Sequence, residues 1–252
     1  MRILLTNDDG INAPGIHALK RALDPLGEVF MVAPERPRSA SGHAITLHKP
    51  LRLDEVELPD GSRAWATNGT PSDCVTLGFD VVMEGRVDLV FSGINAGPNL
   101  GWDVTYSGTV SAAMEGAILG APAAAVSVAG DRPPFEFEPA ARFSARLARE
   151  IGERGLEPWT LLNVNVPPVP EAEIRGAVVT HQGRRQYVDR IDKRTDPNGR
   201  PYYWLSGSLK ENEPDLGSDV HAVLENRISV TPVHLDLTAP TMLEKLKTWR
   251  FD

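Results

Sequence analysis

Short apolar runs alternate with amphipathic stretches along the first two thirds of the chain. Residues 2–6 and 28–33 are apolar runs that predict buried strands, and the stretch 14–26 between them carries apolar residues at helical spacing. Gly27 follows this stretch and is predicted to end the helix. A strand, a helix and a second strand in this order are typical of a βαβ unit, in which the two strands are parallel.

The same alternation continues to about residue 166. Helices are predicted over 72–83, 109–119 and 139–154, and strands over 87–91, 123–128 and 161–166. Ser72 is predicted to cap the first of these helices. Residues 44–53 and 63–67 are predicted to be extended, with an Asp60-Gly61 turn before the second segment. The pattern predicts an α/β fold with a doubly wound, mainly parallel sheet.

A projecting hairpin is predicted in the last third of the chain. Polar extended segments over 186–194 and 200–206 flank Asp196-Pro197-Asn198-Gly199, which is a strong turn signal. The second segment contains Tyr202, Tyr203 and Trp204, and a lone hairpin has too little core to bury them. We expect a second subunit to cover this hairpin; the alternative is that it folds back onto its own domain.

The composition becomes more polar after about residue 170. A late strand is predicted over 227–233 and a terminal amphipathic helix over 241–249. We therefore expect one domain with two regions. These are a core over 1–170 and a C-terminal region over 171–252, in which the hairpin occupies about 183–206 and serves in oligomerisation.

The composition is that of an ordinary globular protein. The chain has 252 residues, of which 41% are hydrophobic and 24% charged, enough for a sizeable core. A net charge of −8 opposes binding to a nucleic-acid backbone, and no run reaches the ~18 apolar residues of a membrane helix. We therefore expect neither nucleic acid nor membrane as a partner. The apolar N-terminal run is too short for a secretory signal, so a cytoplasmic location is expected.

Two adjacent carboxylates, Asp8 and Asp9, follow the first predicted strand. Ligands bind outside the carboxyl ends of the strands in an open parallel sheet, and a hard divalent cation would explain two carboxylates placed there. Capping of the next helix is the alternative. Asn95 follows the 87–91 strand in a glycine-rich loop, where it can give a cation a neutral amide oxygen or form a structural turn. The single cysteine, Cys74, allows no thiolate cluster, so oxygen or imidazole must hold any metal.

Two further segments carry groups that could bind an anion next to a cation held by Asp8 and Asp9. The loop after the second strand carries two arginines, two hydroxyls and an imidazole: Arg36, Arg38, Ser39, Ser41 and His43. Ser107-Gly108-Thr109 opens a predicted helix, where free backbone N–H groups and the positive end of the helix dipole favour a phosphate. A solvated loop and simple helix capping are the respective alternatives. Taken together, the segments predict phosphoryl chemistry.

Five runs of the chain resemble the SurE survival-protein family, in the same order. They are NDDGINAPG at 7–15, APERPRSASGHAIT at 33–46, NGTPSDCV at 68–75, SGINAGPNLGWDVTYSGTVSAAMEGA at 92–117 and SDVHAVLENRISVTPVHLDLT at 218–238. The resemblance implies a Rossmann-like core and a homodimer or homotetramer assembled by exchange of the C-terminal region. It also implies a metal-dependent phosphatase that acts on nucleoside 5′- and 3′-monophosphates and on short polyphosphate.

The resemblance also implies particular site residues. The metal ligands of the family fall here on Asp8, Asp9, Ser39 and Asn95, for one divalent ion per subunit, and ligand hardness favours Mg²⁺ or Mn²⁺. We expect Asp8 or Asp9 to orient or deprotonate an attacking water; a covalent aspartyl-phosphate on Asp8 is the alternative. Substrate contacts are expected from seven residues: Ser41, Gly42, His43, Asn99, Ser107, Gly108 and Thr109.

Two other function classes match parts of the pattern. A signalling receiver domain also carries an acidic pair after its first strand, but the 87–91 strand ends in Ser92-Gly93, where an acceptor aspartate is required. A non-catalytic nucleotide-binding module would use the Ser107-Gly108-Thr109 turn, but the G-x-G-x-x-G turn after the first strand is missing. Metal-dependent release of phosphate from p-nitrophenyl phosphate would distinguish an enzyme from the binding module.

Overall fold

A nine-stranded, mostly parallel sheet forms the centre of the fold. The structure is a computed structural model that describes residues 1–188, 191–205, 207–209 and 215–251. The strands within these ranges are β1 (Arg2–Thr6), β2 (Glu28–Pro34), β3 (Leu53–Glu57), β4 (Arg63–Thr67), β5 (Leu89–Ala96), β6 (Ala123–Val128), β7 (Thr160–Val166), β8 (Ala177–Val179), β9 (Tyr187–Val188), β10 (Ile191–Thr195), β11 (Pro201–Leu205), β12 (Ser208–Leu209) and β13 (Ile228–His234). The α-helices are α1 (Pro14–Leu23), α2 (Pro71–Leu77), α3 (Gly108–Ile118), α4 (Glu138–Arg154), α5 (Asp219–Leu224) and α6 (Pro240–Leu246).

The sheet has the strand order β3-β4-β2-β1-β5-β6-β7-β13-β8. The six strands from β4 to β7 in this order run parallel, whereas β3 is antiparallel to β4 and β13 is antiparallel to β7. The predicted α/β class with a mainly parallel sheet is confirmed. β8 and β13 come from the polar last third of the chain and extend the same sheet.

The direction of travel across the sheet reverses at β1. β2 and β4 lie on one side of β1, and β5, β6 and β7 lie on the other. In open α/β sheets the crevice outside the strand ends at such a reversal is where ligands bind. The carboxyl ends of β1 and β5 flank this crevice.

Alternate residues of β1 enter two different cores, because successive side chains of a strand face opposite sides of the sheet. Ile3 and Leu5 pack with residues of α1 and α4, whereas Leu4 packs with residues of α2 and α3. The helix pairs α1–α4 and α2–α3 also contact one another. Because β1 packs against helices on both faces of the sheet, its carboxyl end and the residues that follow it have a well-defined position.

β5 is longer than predicted and continues through the glycine-rich segment to Ala96. Residues 92–96 pair with β6, with an irregularity between Gly93 and Asn95. A Cβ at Gly93 would lie 2.4 Å from the Val126 carbonyl oxygen, and the φ of Gly93 is +139°. A glycine therefore lets the strand pass close to β6, and Asn95 stands at a strand end rather than in a loop.

Residues 44–52 lie outside the strands that the structure describes, and β3 begins only at Leu53. Side chains bind backbone groups of this segment in place of a neighbouring strand. The Asp73 carboxylate accepts a hydrogen bond from the Thr46 backbone N–H at 2.9 Å, and the Asn68 side chain accepts one from the Arg52 backbone N–H at 3.0 Å. Of the segment predicted to be extended, residues 44–52 form no strand, and the strand begins at Leu53.

Three predicted helix ends are also corrected. Thr70, not Ser72, caps α2, because Thr70 and Asp73 exchange side-chain and backbone hydrogen bonds. α1 ends at Leu23 and is followed by a short 3₁₀ turn, while Gly27 is extended and lies so close to Met1 that a Cβ would come within 2.0 Å of its carbonyl oxygen. The last helix spans 240–246 rather than 241–249, starting at a proline that fits the first helical position.

The predicted hairpin forms between β10 and β11, around a turn in which the Asp196 N–H donates to the Arg200 carbonyl. We call this hairpin the arm. The antiparallel pair β9–β12 flanks it in sequence. Residues 189, 190 and 206 of the predicted segments lie outside the described residues. Tyr203 and Trp204 are 57% and 59% exposed, so the arm leaves a large aromatic surface open. No helix in the described part of the chain is long and apolar enough to cross a membrane.

Candidate active site

Asp8 lies directly after β1 and is almost completely buried. The Thr109 hydroxyl, in the first turn of α3, donates a hydrogen bond to Asp8 Oδ1. Burial raises the pKa of Asp8 to about 6; the Thr109 hydrogen bond opposes this rise, and the neighbouring Asp9 charge adds to it. Asp8 is thus a carboxylate whose charge is only partly compensated by its neighbours.

Asp9 connects the end of β1 to the end of β5. The backbone N–H of Ala96 donates a hydrogen bond to Asp9 Oδ2 at 3.2 Å. Partial burial also raises the pKa of Asp9, with the Ala96 N–H acting in the opposite direction. Beside it, the Asn95 side chain donates its N–H to the Gly97 carbonyl at 2.9 Å, which leaves the Asn95 amide oxygen for another partner. The contacts bring Asp9 and the end of β5 together, as the sequence predicted for one sheet edge.

The loop after β2 is attached to this edge through its backbone. The Arg38 N–H donates to the Asp8 carbonyl at 2.8 Å, and the Gly42 N–H donates to the Tyr106 carbonyl at 3.2 Å. These two bonds hold the loop between β1 and α3. Ser39 follows Arg38 directly and is exposed, and within the described residues its side chain makes no hydrogen bond.

α3 approaches Asp8 and Ser41 so closely that a glycine is required at its first position. A Cβ on Gly108 would lie 2.8 Å from both the Asp8 Cβ and the Ser41 Oγ, and 3.0 Å from Asp8 Oδ2. The Ser41 hydroxyl is buried and has no hydrogen-bond partner among the described residues. A buried hydroxyl without a partner is costly, which suggests that a ligand or water completes this position.

Ser107 begins α3 as its N-cap. Its side chain accepts a hydrogen bond from the Val110 N–H at 3.1 Å. The N–H groups of Gly108 and Thr109 precede any carbonyl that could accept them within the helix. The Thr109 N–H instead hydrogen-bonds the Asp8 carboxylate. The predicted phosphate position and the predicted metal position therefore adjoin one another.

Two predicted substrate contacts have other partners. His43 Nε2 lies 2.7 Å from Glu115 Oε2 on α3, a pair that ties the loop after β2 to that helix. Asn99 is buried in a network of amides, where its side chain donates to Ser127 Oγ at 2.8 Å and its backbone N–H donates to Asn165 Oδ1 at 2.9 Å. Both side chains thus make hydrogen bonds within the protein. A role of either in substrate binding stays a prediction.

The oxygen groups at this edge fit a hard cation. Asp8 and Asp9 form no salt bridge with a cationic side chain in the ranges that the structure describes. The same ranges contain no cluster of three histidine, cysteine or acidic residues that could form a metal site. Any cation here would thus depend on two carboxylates completed by neutral oxygens, as the sequence predicted. Such a site lies beside the first turn of α3 and the Ser41 hydroxyl, which has no partner among the described residues. It is equipped to bind a metal and a phosphate side by side.

Sequence reasoning missed the partners that position the predicted residues. Glu115 holds His43, and Asp103 holds Arg185 and Tyr187 near the same edge. These partners are separated by 72, 82 and 84 residues, and no local pattern connects them. The only available signal was that Asp103 and Glu115 fall inside the run at 92–117 that carried the family resemblance.

Nearly all of the chain is similar to proteins of one known family. The sequence profile of the family described as "Survival protein SurE" matches residues 3–189. A protein named 5′-nucleotidase SurE from Geobacter metallireducens is 52% identical over 252 residues, which cover 100% of this chain and 98% of the relative. One of the same name from Heliobacterium modesticaldum is 50% identical and covers 99% of this chain and 92% of the relative. The crystal structure of the SurE protein from Aquifex aeolicus superposes with a TM-score of 0.86, at 44% identity and 98% coverage of both chains.

Proposed function

This chain belongs to the SurE family, and we propose that it is a metal-dependent phosphomonoesterase that hydrolyses nucleoside 5′- and 3′-monophosphates to nucleoside and phosphate. Short polyphosphate is a second substrate in this proposal. The observation that supports it most strongly is the hydrogen bond from Thr109 to Asp8. That bond places a buried carboxylate against the first turn of α3, and a helix N-terminus of this kind suits a phosphate.

The metal in this proposal is one Mg²⁺ or Mn²⁺ ion per subunit, held by Asp8, Asp9, Ser39 and Asn95. The fit rests on three features: two partly compensated carboxylates, an amide oxygen that accepts no hydrogen bond from the described residues, and an exposed hydroxyl on the residue after Arg38, whose N–H bonds the Asp8 carbonyl. A bound divalent ion supplies a Lewis acid that polarises the phosphoryl group and neutralises charge as the ester bond breaks.

The residues of the chain supply positioning and proton transfer. The N–H group of Gly108 and the hydroxyl of Ser41 donate hydrogen bonds to the non-bridging phosphoryl oxygens, which holds the ester in line. Asp8 uses Oδ1 for Thr109, while Oδ2 faces the first turn of α3. Asp8 or Asp9 orients the attacking water and takes its proton, and the leaving nucleoside oxygen receives a proton from solvent.

A homodimer or homotetramer in the cytoplasm is part of the same proposal. The arm formed by β10 and β11 exposes Tyr203, Trp204 and Leu205, and α6 exposes Leu243. Exposed apolar surface of this kind is typical of a protein–protein contact. A second copy of the chain is the partner proposed to cover it.

A substrate panel tests the proposed function. Nucleoside 5′- and 3′-monophosphates and polyphosphate are assayed with Mg²⁺, Mn²⁺, Co²⁺ and Zn²⁺, and with EDTA. We expect phosphate release from the monophosphates with at least one ion and none in EDTA, and a strong loss in Asp9→Asn. Nucleotide binding without turnover under every ion would favour the non-catalytic module instead. The stereochemical course with a phosphoryl group made chiral by oxygen isotopes separates the two mechanisms, since direct attack by water inverts the configuration at phosphorus and a covalent aspartyl-phosphate retains it.

A further inference from the structure

A cleft of about 670 Å³ opens beside the end of β5. Its lining includes the backbone of Ala96 and Gly97 on one side and residues near the base of the arm on the other. Charged and aromatic side chains reach it from three separate segments: Asp103, Asp131, Arg132, Arg185 and Tyr187. Its volume lies within the ~300–1,000 Å³ typical of small-molecule sites.

The cleft adjoins the carboxylate edge at Ala96. The Ala96 N–H that bonds Asp9 Oδ2 at 3.2 Å belongs to a residue of the cleft wall. Asn95, the proposed metal ligand, precedes it directly. A phosphate ester held at the first turn of α3 and the two aspartates would therefore have this cleft within reach of its ester oxygen.

One wall of the cleft is built from a hydrogen-bonded group of three side chains. Asp103 Oδ2 accepts a bond from Arg185 at 2.9 Å and another from the Tyr187 hydroxyl at 2.7 Å. The Arg185 side chain is only 9% exposed, and its guanidinium lies 5.9 Å from the Tyr187 ring centre. Within the described residues, no donor reaches Asp103 Oδ1. The group thus presents a fixed aromatic ring next to an acceptor without a partner.

The charges of the cleft favour a neutral ligand. Its wall carries two aspartates and two arginines, so their formal charges cancel. The Asp131 charge also acts on the Tyr187 phenol, which places a second carboxylate near the ring. A second phosphate would gain little here, whereas hydroxyl and amino groups would find carboxylate acceptors.

We propose that this cleft binds the nucleoside part of a nucleoside monophosphate, with the base against the ring of Tyr187 and Asp103 accepting a hydrogen bond from a nucleoside hydroxyl or amino group. The inference deepens the proposed function and rests on it. Tyr187 is a specificity residue in this view, because it contacts the leaving group and not the reacting phosphorus. Arg185 positions Asp103 and the ring.

Substrates with and without a base test the proposal. kcat/KM is measured for nucleoside 5′-monophosphates and for ribose 5-phosphate and glycerol 2-phosphate, in the wild type, Tyr187→Ala and Tyr187→Phe. Tyr187→Ala is expected to lose about five- to tenfold on the nucleotides, the range of a lost base stack, and to keep its rate on the esters without a base. Tyr187→Phe keeps the ring and should recover most of the loss. Trp159→Ala, a change of an exposed aromatic residue before β7, should leave both classes unchanged.

Equal losses on both substrate classes, or no loss on either, would overturn the inference. Calorimetric titration of the protein with a nucleoside that carries no phosphate tests binding in the cleft independently of hydrolysis. Weaker binding to Tyr187→Ala than to the wild type supports the cleft even if no phosphate is released, and equal binding contradicts it. The failure of the proposed hydrolysis and the failure of the cleft assignment are thereby distinguishable.

Discussion

The hydroxyl of Thr109 donates a hydrogen bond to the carboxylate of Asp8, although 101 residues separate them. The bond joins the end of β1 to the first turn of α3, and it lowers the pKa of a carboxylate that burial has raised to about 6. The two predicted halves of the site, for a metal and for a phosphate, meet at this contact.

Thr109→Val removes this hydrogen bond without changing the size of the side chain. The pKa of Asp8 is then expected to rise, because the bond no longer favours the charged form. We expect the acid limb of the pH profile of kcat/KM to move to higher pH and the maximum to fall about tenfold. Thr109→Ser keeps the hydroxyl and should restore both. Identical pH profiles for the valine and serine variants would contradict this role.

Asp8→Asn is expected to stabilise the metal-free protein while abolishing activity. The folded pKa of Asp8, about 6, lies above the ordinary value of 3.8, so ionisation costs folding free energy as the pH rises from about 4 to 6. At pH 7.5 the asparagine variant should gain up to about 3 kcal/mol in EDTA. Urea unfolding at pH 7.5 and pH 4 measures this, and the gain should shrink at the lower pH. An asparagine variant less stable than the wild type at pH 7.5 would contradict the claim that ionised Asp8 lowers the stability of the folded protein.

Gly108→Ala tests how closely α3 must approach the carboxylate edge. The added methyl group would lie 2.8 Å from Asp8 Cβ and Ser41 Oγ, so one of them must shift. Because small displacements in an active site are expensive, kcat should fall about tenfold or more. Gly152→Ala is the control, since its methyl group would meet only the flexible Met1 side chain. Equal activity of the two variants would show that the approach is not needed.

His43 and Glu115 are expected to act as one unit. They lie 2.7 Å apart and tie the loop after β2, which includes Ser39 and Ser41, to α3. His43→Ala and Glu115→Ala should each lower kcat/KM by about three- to tenfold, and the double variant should be little worse than either. Additive losses would instead favour an independent substrate contact by His43.

The exposed arm is expected to be a subunit contact. Trp204→Ser, or Tyr203→Ser with it, should shift the protein toward the monomer in light scattering coupled to size exclusion. Trp159→Ser is a matched control, because Trp159 is 62% exposed against 59% for Trp204 but lies at the start of β7. A monomeric wild type, or an unchanged mass in the arm variants, would rule out this contact.

The sequence was sufficient to predict the fold class and the edge at which the site lies. Apolar runs were enough to predict the buried strands, and the two aspartates after β1 indicated where that strand ends. The end of β5 was predicted incorrectly because Gly93 interrupts an apolar run, although the absence of a side chain is what lets that segment pair with β6. The partners of Asp8, His43 and Tyr187 come from other elements, so their identity depends on packing that no local pattern contains.

The most direct test of the account is the position of a bound metal ion. Crystals of the protein soaked in Mn²⁺ and measured for anomalous scattering should show one peak about 2–2.6 Å from oxygens of Asp8 and Asp9, with the Asn95 amide oxygen in the same shell. The peak is expected in the wild type and is expected to disappear in Asp9→Asn. A wild-type map without a peak between the two aspartates and Asn95 would contradict it.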